Sequence, residues 1–265
     1  INRVMQWHLD IESEYRDGDK ITLLLTPYDE PGRRFSYRIL ALDYQGAEVR
    51  TRAYYFRETE HPFGAHYDAD GYEHALHLES SPVPAWQEIT SLVGDGRGHK
   101  GVDFKTPKFT PLHAPVAGTI TRINWNTRNN GNCLEIISED GAYTHKFLHL
   151  EKFPAHVHAG MRVRVGDFIG YTGNTGHSSG PHLHYQVERI LSPEQAPGGA
   201  YTDTQVVDPY RVFATLEEHI DECDAEAFEM TKAVLDAMLN VAPPTDDAKT
   251  RPVIARADSQ GDSRS

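Results

Sequence analysis

Three groups among the fifteen histidines of this 265-residue chain are spaced for chemistry. His99 stands four residues before Asp103 in His99-Lys100-Gly101-Val102-Asp103, His149 sits in Phe147-Leu148-His149-Leu150, and His182 and His184 flank Leu183. On a strand, residues two apart project from one face with Cα atoms about 6.6 Å apart. Both imidazoles of the last pair can therefore reach one metal-centred site, one binding and the other acting nearby. His99 and Asp103 would lie about 13 Å apart on a straight strand, too far to share a zinc whose ligands sit about 2.0–2.2 Å away. Gly101, Val102 and Pro107 argue against a helix there, so sharing a metal requires a bend near Gly101. Two imidazoles and one carboxylate suit zinc, and three protein ligands leave a fourth position for water. With no Glu beside a metal histidine in a His-Glu-x-x-His pattern, a histidine base is the coherent choice, and a Ser or Cys nucleophile is disfavoured. His156-Val157-His158 has the same spacing but lies among Pro154 and Gly160, which reads as a solvated hairpin. His145 is set aside as a ligand, and His74 and His77 read as surface residues.

The elements that must hold these groups are mostly strands. Val4 to Asp10, Ile21 to Leu25, Phe35 to Leu42 and Val49 to Phe56 alternate, with turns at Asp17-Gly18-Asp19, Pro31-Gly32 and Gln45-Gly46. They predict a small antiparallel β domain over 1–62. A Pro- and Gly-punctuated connector follows over 63–95, with one strand around Ala75 to Leu78. Over 96–215, Val116–Ile120, Cys133–Ile137, Val163–Val165, Phe168–Tyr171 and His182–Val187 read as strands, without intervening helices. That pattern predicts a mainly β fold built on packed antiparallel sheets. Over 216–241 the three- and four-residue steps of Ile220, Cys223, Ala227, Met230, Val234 and Met238 predict an amphipathic helix docked on the 96–215 domain. The polar, Asp- and Ser-rich stretch 242–265 reads as disordered.

Composition narrows the possibilities. Net charge is −13, distributed as −7 over residues 1–98, +3 over 99–190 and −9 over 191–265. A nucleic-acid surface would want clustered Lys and Arg interleaved with aromatics, and none is present. No apolar run approaches the ~18 residues of a membrane helix. Two cysteines, Cys133 and Cys223, cannot make a Cys-rich zinc site; whether they pair is left open by sequence.

The order of several motifs is more specific than any one of them. His99-Lys100-Gly101-Val102-Asp103-Phe104, Thr110-Pro111-Leu112-His113-Ala114-Pro115-Val116-Ala117-Gly118, Gly131-Asn132, Phe147-Leu148-His149-Leu150, Val165 to Gly170, Thr172-Gly173-Asn174-Thr175-Gly176 and Gly180 to Val187 follow one another. Together they resemble the lysostaphin-type, or LytM-like, zinc endopeptidases of peptidoglycan, over about residues 96 to 190. Met5 to Asp10 with Gly18-Asp19-Lys20 is similar to the small domain that precedes the peptidase in Gram-negative murein DD-endopeptidases. The resemblance implies a LytM-like antiparallel catalytic domain, with Zn2+ held by His99, Asp103 and His184. It further implies His149 and His182 as catalytic histidines and Asn132 as a substrate-binding residue. The implied substrate is peptidoglycan stem peptides cross-linked through D-alanyl–diaminopimelate, hydrolysed by metal-activated water in the periplasm or cell envelope. Other members of the family offer two alternative roles: a catalytically silent activator of cell-wall amidases, and a secreted bacteriolysin cutting glycine bridges.

Overall fold

The computed structural model describes residues 1–9, 14–28, 36–95, 98–192 and 203–240, and the tail expected to be disordered lies outside them. Strands β1 (Lys20–Pro27), β2 (Tyr37–Gln45), β3 (Arg50–Phe56) and β4 (Ala65–Tyr67) form an antiparallel sheet in sequence order. The fourth strand falls beyond residue 62, so the first sheet draws in part of the expected connector. The opening residues, expected as a strand, instead begin with a helical turn, α1 (Asn2–Met5). Val4 and Met5 are both buried, against Leu9, Leu42, Tyr44 and Ala53. Adjacent side chains on a strand point to opposite faces, so burying two neighbours in one small core requires the turn.

The second sheet is built from β6 (Glu88–Ser91) through β15 (Thr204–Val207), β5 (His77–Leu78) pairing apart with β16 (Thr215–Leu216). Its members are β7 (Val102–Lys105), β8 (Pro111–His113), β9 (Gly118–Ile123), β10 (Asn132–Ser138), β11 (Tyr143–Lys152), β12 (Arg162–Val163), β13 (Phe168–Thr172) and β14 (Leu183–Ile190). The main path runs β12-β9-β10-β11-β14-β7-β6, with β13 bridging β11 to β8 and β15 lying on β14. Every pair is antiparallel. Phe104, Leu112, Ile120, Leu134, Ile136, Phe147, Leu150, Ile169 and Leu183 fill one core beneath it. Short helices α2 (Thr127–Asn130) and α3 (Pro209–Val212) punctuate the connections.

The final helix, α4 (Ala225–Leu239), is shorter than expected and docks elsewhere. Phe228 and Leu235 enter a core made with Ala41, Tyr54, Tyr67 and Ile220, so the helix packs on the first sheet and not on the domain holding the histidines. Its predicted face is also wrong: Met230, Val234 and Met238 are exposed. Phe228 decides the outcome, meeting Tyr54, Phe56 and Tyr67 edge-on at 5.5–6.4 Å. Burying that ring contributes roughly 1.5–3 kcal/mol, and the edge-on contacts add to it. Among the described residues no helix is long and apolar enough to cross a membrane. Both cysteines are free, Cys133 buried and Cys223 exposed.

The N-terminal turn joins the two sheets. Arg3 Nη1 pairs with Glu88 Oε1 at 2.7 Å, the Gln6 amide donates to the Ile89 carbonyl, and Trp7 meets Tyr210 edge-on at 5.0 Å. Glu88 and Ile89 lie on β6, the strand beside β7.

Candidate active site

Three strands in lateral register bring the first cluster together. On β14, His184 lies opposite Asp103 of β7 on one side and Leu148 of β11 on the other. His99 approaches from the segment before β7, where the chain bends at Gly101. Glycine is required there for space as well: a Cβ would stand 2.7 Å from His184 Nε2 and from the Tyr185 carbonyl oxygen. The result is a triangle of ligand atoms. His184 Nδ1 lies 2.9 Å from Asp103 Oδ1, His99 Nε2 lies 3.2 Å from the same oxygen, and the two nitrogens are 3.0 Å apart.

The outward sides of these rings determine which atoms face inward. His99 Nδ1 is 3.3 Å from the Leu92 carbonyl oxygen, which can only accept, so Nδ1 carries the proton and Nε2 keeps its lone pair. His184 Nε2 is 3.4 Å from Gln186 Oε1, and the Gln186 amide nitrogen is turned the other way by donating to Glu188. That arrangement protonates Nε2 and leaves Nδ1 bare. Glu188 is held in turn by Lys146 and Thr204. Two imidazole lone pairs and a carboxylate oxygen aimed at one another are all acceptors, an arrangement that a cation resolves. The donor set suits zinc, and partners on the distal nitrogens are what metal-binding histidines carry. Burial works against the Asp103 carboxylate, but His184 and His99 outweigh it and hold its carboxyl well below the usual range. Burial also opposes the charged form of His99, yet Asp103 raises its pKa overall.

The other two histidines stand beside this triangle. His182, two residues before His184, has Nε2 3.8 Å from Asp103 Oδ1, while Nδ1 donates to the Gly180 carbonyl at 2.8 Å. The His149 ring lies 4.8 Å from that of His182. His149 reaches the site through an irregularity: Asn132 pairs with Leu150 and Leu134 with Phe147, so Leu148 and His149 together oppose Cys133. In this β-bulge His149 takes φ 63°, a left-handed conformation, which re-aims its side chain off the strand's alternation. Its Nδ1–H donates to the Thr175 carbonyl at 2.9 Å, leaving Nε2 free. Burial pushes His149 down to about 4, against the opposing effect of that hydrogen bond.

Thr175 clamps the bulge. Its hydroxyl donates to the Leu150 carbonyl at 2.7 Å and accepts from the Asn132 N–H at 2.9 Å. Gly131, at φ 65°, has no room for a Cβ, which would stand 2.2 Å from Thr175 Oγ1. Asn132, expected to face substrate, uses its amide nitrogen to donate to the Glu151 carbonyl at 2.9 Å. Spacing alone assigns no role to Thr175, Gln186 or Glu188. For the last two a signal existed, since residues 182, 184, 186 and 188 share one face of a strand.

Among the other histidines, His74 and His77 depart from the sequence reading. His145 is fully buried, its ring stacked on Tyr185 and Phe213, with Nδ1 2.8 Å from the Tyr185 hydroxyl. His74, expected at the surface, is buried against His8. His77 is partly covered, tilted on Trp86 and paired with Glu73. His156 and His158 are exposed, as expected. Gly176-His177-Ser178-Ser179-Gly180 carries the Gly-x-Ser-x-Gly spacing of some serine hydrolases, but it lies between two strands, not on the strand-to-helix turn an activated serine uses. The Ser178 hydroxyl contacts Asn174 Oδ1, the Gly180 carbonyl oxygen and, at 3.2 Å, His182 Nδ1, the ring nitrogen turned away from Asp103, so it supports the His182 ring from outside the cluster.

Residues 97–208 match the sequence model of peptidase family M23. The chain is similar to the glycyl-glycine endopeptidase ALE-1 of Staphylococcus capitis, 39% identical over 92 residues, which cover 35% of this chain and 25% of that protein. It is also similar to the peptidoglycan DD-endopeptidase ShyC of Vibrio cholerae, 27% identical over 190 residues, covering 68% of this chain and 42% of ShyC. The chain thus spans less than half of either relative. Among solved structures, the catalytic domain of lysostaphin from Staphylococcus simulans matches at 28% identity with a TM-score of 0.36, over 52% of this chain and 90% of that domain.

Proposed function

With residues 97–208 forming a peptidase family M23 domain, we propose that this protein is a zinc-dependent endopeptidase that hydrolyses peptide cross-links of bacterial peptidoglycan, at D-alanyl–diaminopimelate bonds, in the cell envelope. The observation that carries the reading is the orientation of four imidazoles. Each has one nitrogen engaged outward, by Leu92, Gln186, Gly180 or Thr175, and the other aimed toward Asp103 or the space beside it. His99 Nε2, Asp103 Oδ1 and His184 Nδ1 would hold the zinc. Bound there, zinc supplies Lewis acidity to the scissile carbonyl and to the attacking water.

The remaining steps belong to the protein. His149 and His182 present unprotonated Nε2 atoms, so either can take a proton from water and pass it on to the leaving amine. The carbonyl oxygens of Thr175 and Gly180 keep each ring in the tautomer that leaves Nε2 available. Similarity to ShyC supports the D-alanyl–diaminopimelate assignment, because that alignment of 190 residues extends well beyond the M23 domain, whereas the match to ALE-1 stops at 92. The proximity of His99, Asp103, His149, His182 and His184 supports hydrolysis over an amidase activator lacking its own activity.

Digestion of purified sacculi tests the reading. With zinc, cross-linked muropeptides of diaminopimelate-type walls should fall to monomers, and a chelator should stop this. Cleavage only of walls with glycine bridges would overturn the bond assignment, and no zinc-dependent cleavage of either wall would overturn the activity.

A further inference from the structure

Phe109 holds an unusual conformation for its residue type. It sits at φ 67° in the loop between β7 and β8, and half of it is exposed. A bulky residue in the left-handed region is disfavoured, and burial does not compensate here. Its N–H donates to the Thr172 carbonyl, a bond that glycine could make without strain. The ring instead stands 6.3 Å from Tyr171, which rests on Phe168 at 4.9 Å. Over both outer rings lies the Lys152 ammonium, 5.6 Å from Phe109 and 5.5 Å from Tyr171.

Lys152 is exposed and has no carboxylate in ion-pair distance among the described residues, whereas neighbouring Lys108 is paired with Glu151 at 3.0 Å. The ammonium is therefore free to take an anion, in a central segment that is net positive within an acidic chain. Tyr171 pairs directly with Lys152, and Lys152 follows His149 by three residues on β11. The bulge at His149 and the register shift before Lys152 shorten this stretch, so at ~3.3 Å per residue the Lys152 backbone lies at most about 10 Å along the strand from His149, within reach of three residues of extended peptide.

We propose that Phe109, Tyr171 and Lys152 form a substrate subsite for a carboxylate-bearing residue of the stem peptide, the rings packing on its aliphatic part and Lys152 pairing with its carboxylate. The proposal rests on the peptidoglycan endopeptidase reading and assigns where that substrate's free acid is recognised. Restoring the residue the backbone favours, Phe109→Gly, removes the ring, and Lys152→Met removes the charge while keeping most of the side chain.

Steady-state cleavage of a cross-linked muropeptide dimer, with its stem carboxyls free or amidated, tests the assignment on the zinc-loaded full chain. Wild type should favour the free acid by about tenfold in kcat/KM, the weight of one charge-assisted contact. Lys152→Met should abolish that preference. Phe109→Gly should raise KM for both substrates with kcat unchanged, while its Tm holds or rises. Wild-type KM in both variants would overturn the subsite, and so would weakened cleavage of intact sacculi by Phe109→Gly with its KM for the muropeptide dimers unchanged, which would assign the rings to the glycan. Calorimetric titration with the uncross-linked tetrapeptide separates the two readings. Binding weakened by both substitutions supports the subsite even if hydrolysis fails, and equal binding by all three proteins overturns it even if hydrolysis succeeds.

Discussion

Gln186 touches neither substrate nor metal in the proposed mechanism, yet its replacement should weaken zinc binding. Its Oε1 accepts from His184 Nε2, and its amide nitrogen donates to Glu188, so the residue fixes which His184 nitrogen carries a proton. Gln186→Leu keeps the approximate volume and removes both interactions. His184 can then place its proton on Nδ1, the atom facing Asp103, and zinc must displace it. Loss of such a supporting partner typically weakens metal affinity 10- to 100-fold, about 1.4–2.8 kcal/mol. The 3.4 Å separation marks a long hydrogen bond, so the lower end, near tenfold, is expected. Glu188 retains Lys146 and Thr204 as partners, and this keeps the disruption local. Competition against a chromogenic chelator at neutral pH reads the zinc Kd directly, and thermal melting of the metal-free protein checks the fold. Unchanged affinity in a folded Gln186→Leu protein would refute the claim that the outward hydrogen bonds set the lone pairs of the site.

Three further outcomes follow from the same geometry. His184→Ala should abolish zinc binding and hydrolysis together, whereas His149→Ala should retain zinc and lose turnover; metal analysis beside a muropeptide digest distinguishes them. Thr175→Val preserves shape but strips the hydroxyl from the Leu150 carbonyl and the Asn132 N–H, so kcat should fall at unchanged zinc affinity, with Thr175→Ser restoring it. Stability should fall with acid through His145, which is fully buried and pushed down to about 4. The unfolded chain binds this proton near 6.5 and the folded chain does not, so the contribution is full above that pH and is lost as pH falls to about 4, roughly 3 kcal/mol in all. Urea midpoints of wild type and His145→Gln at pH 7.5 and pH 4.5 should converge at the lower value if this holds, and a constant gap would refute it.

The antiparallel β class was legible because strand alternation and turn residues are local signals, and they marked β1, β2, β3, β10, β13 and β14. The pairing of His182 with His184 was legible for the same reason: period two puts both on one face. The position of His149 was not derivable, because it depends on a bulge whose extra residue is defined only against the partner strand. No periodicity in Phe147-Leu148-His149-Leu150 predicts a left-handed residue, since the strain is held by Thr175, twenty-six residues away. The final helix failed for a different reason. Its sequence offers two apolar stripes, and Met230, Val234 and Met238 score as well as Phe228 and Leu235 by spacing. Only the aromatic surface of the first sheet selects between them. The α1 turn likewise needed a tertiary core to favour adjacent burial over alternation.

These two kinds of legibility correspond to two kinds of mechanical support within the site. Asp103 and His184 are direct cross-strand neighbours in the middle of a sheet, and only His99 comes from a flanking segment. Their separation is fixed by backbone pairing that extends through β11 and β6, so displacing one means breaking a ladder. His149 and His182 stand at irregular places, a bulge and the mouth of the loop entering β14, where local hydrogen bonds orient them, His149 to the Thr175 carbonyl and His182 to the Gly180 carbonyl and the Ser178 hydroxyl. Metal affinity should therefore respond mainly to what touches the ligand rings, as with Gln186, while turnover should respond to the clamp at Thr175. A substitution at Thr175 that lowered zinc affinity as much as turnover would mean that the bulge and the sheet form one mechanical unit, and the separation of binding from proton transfer would not hold.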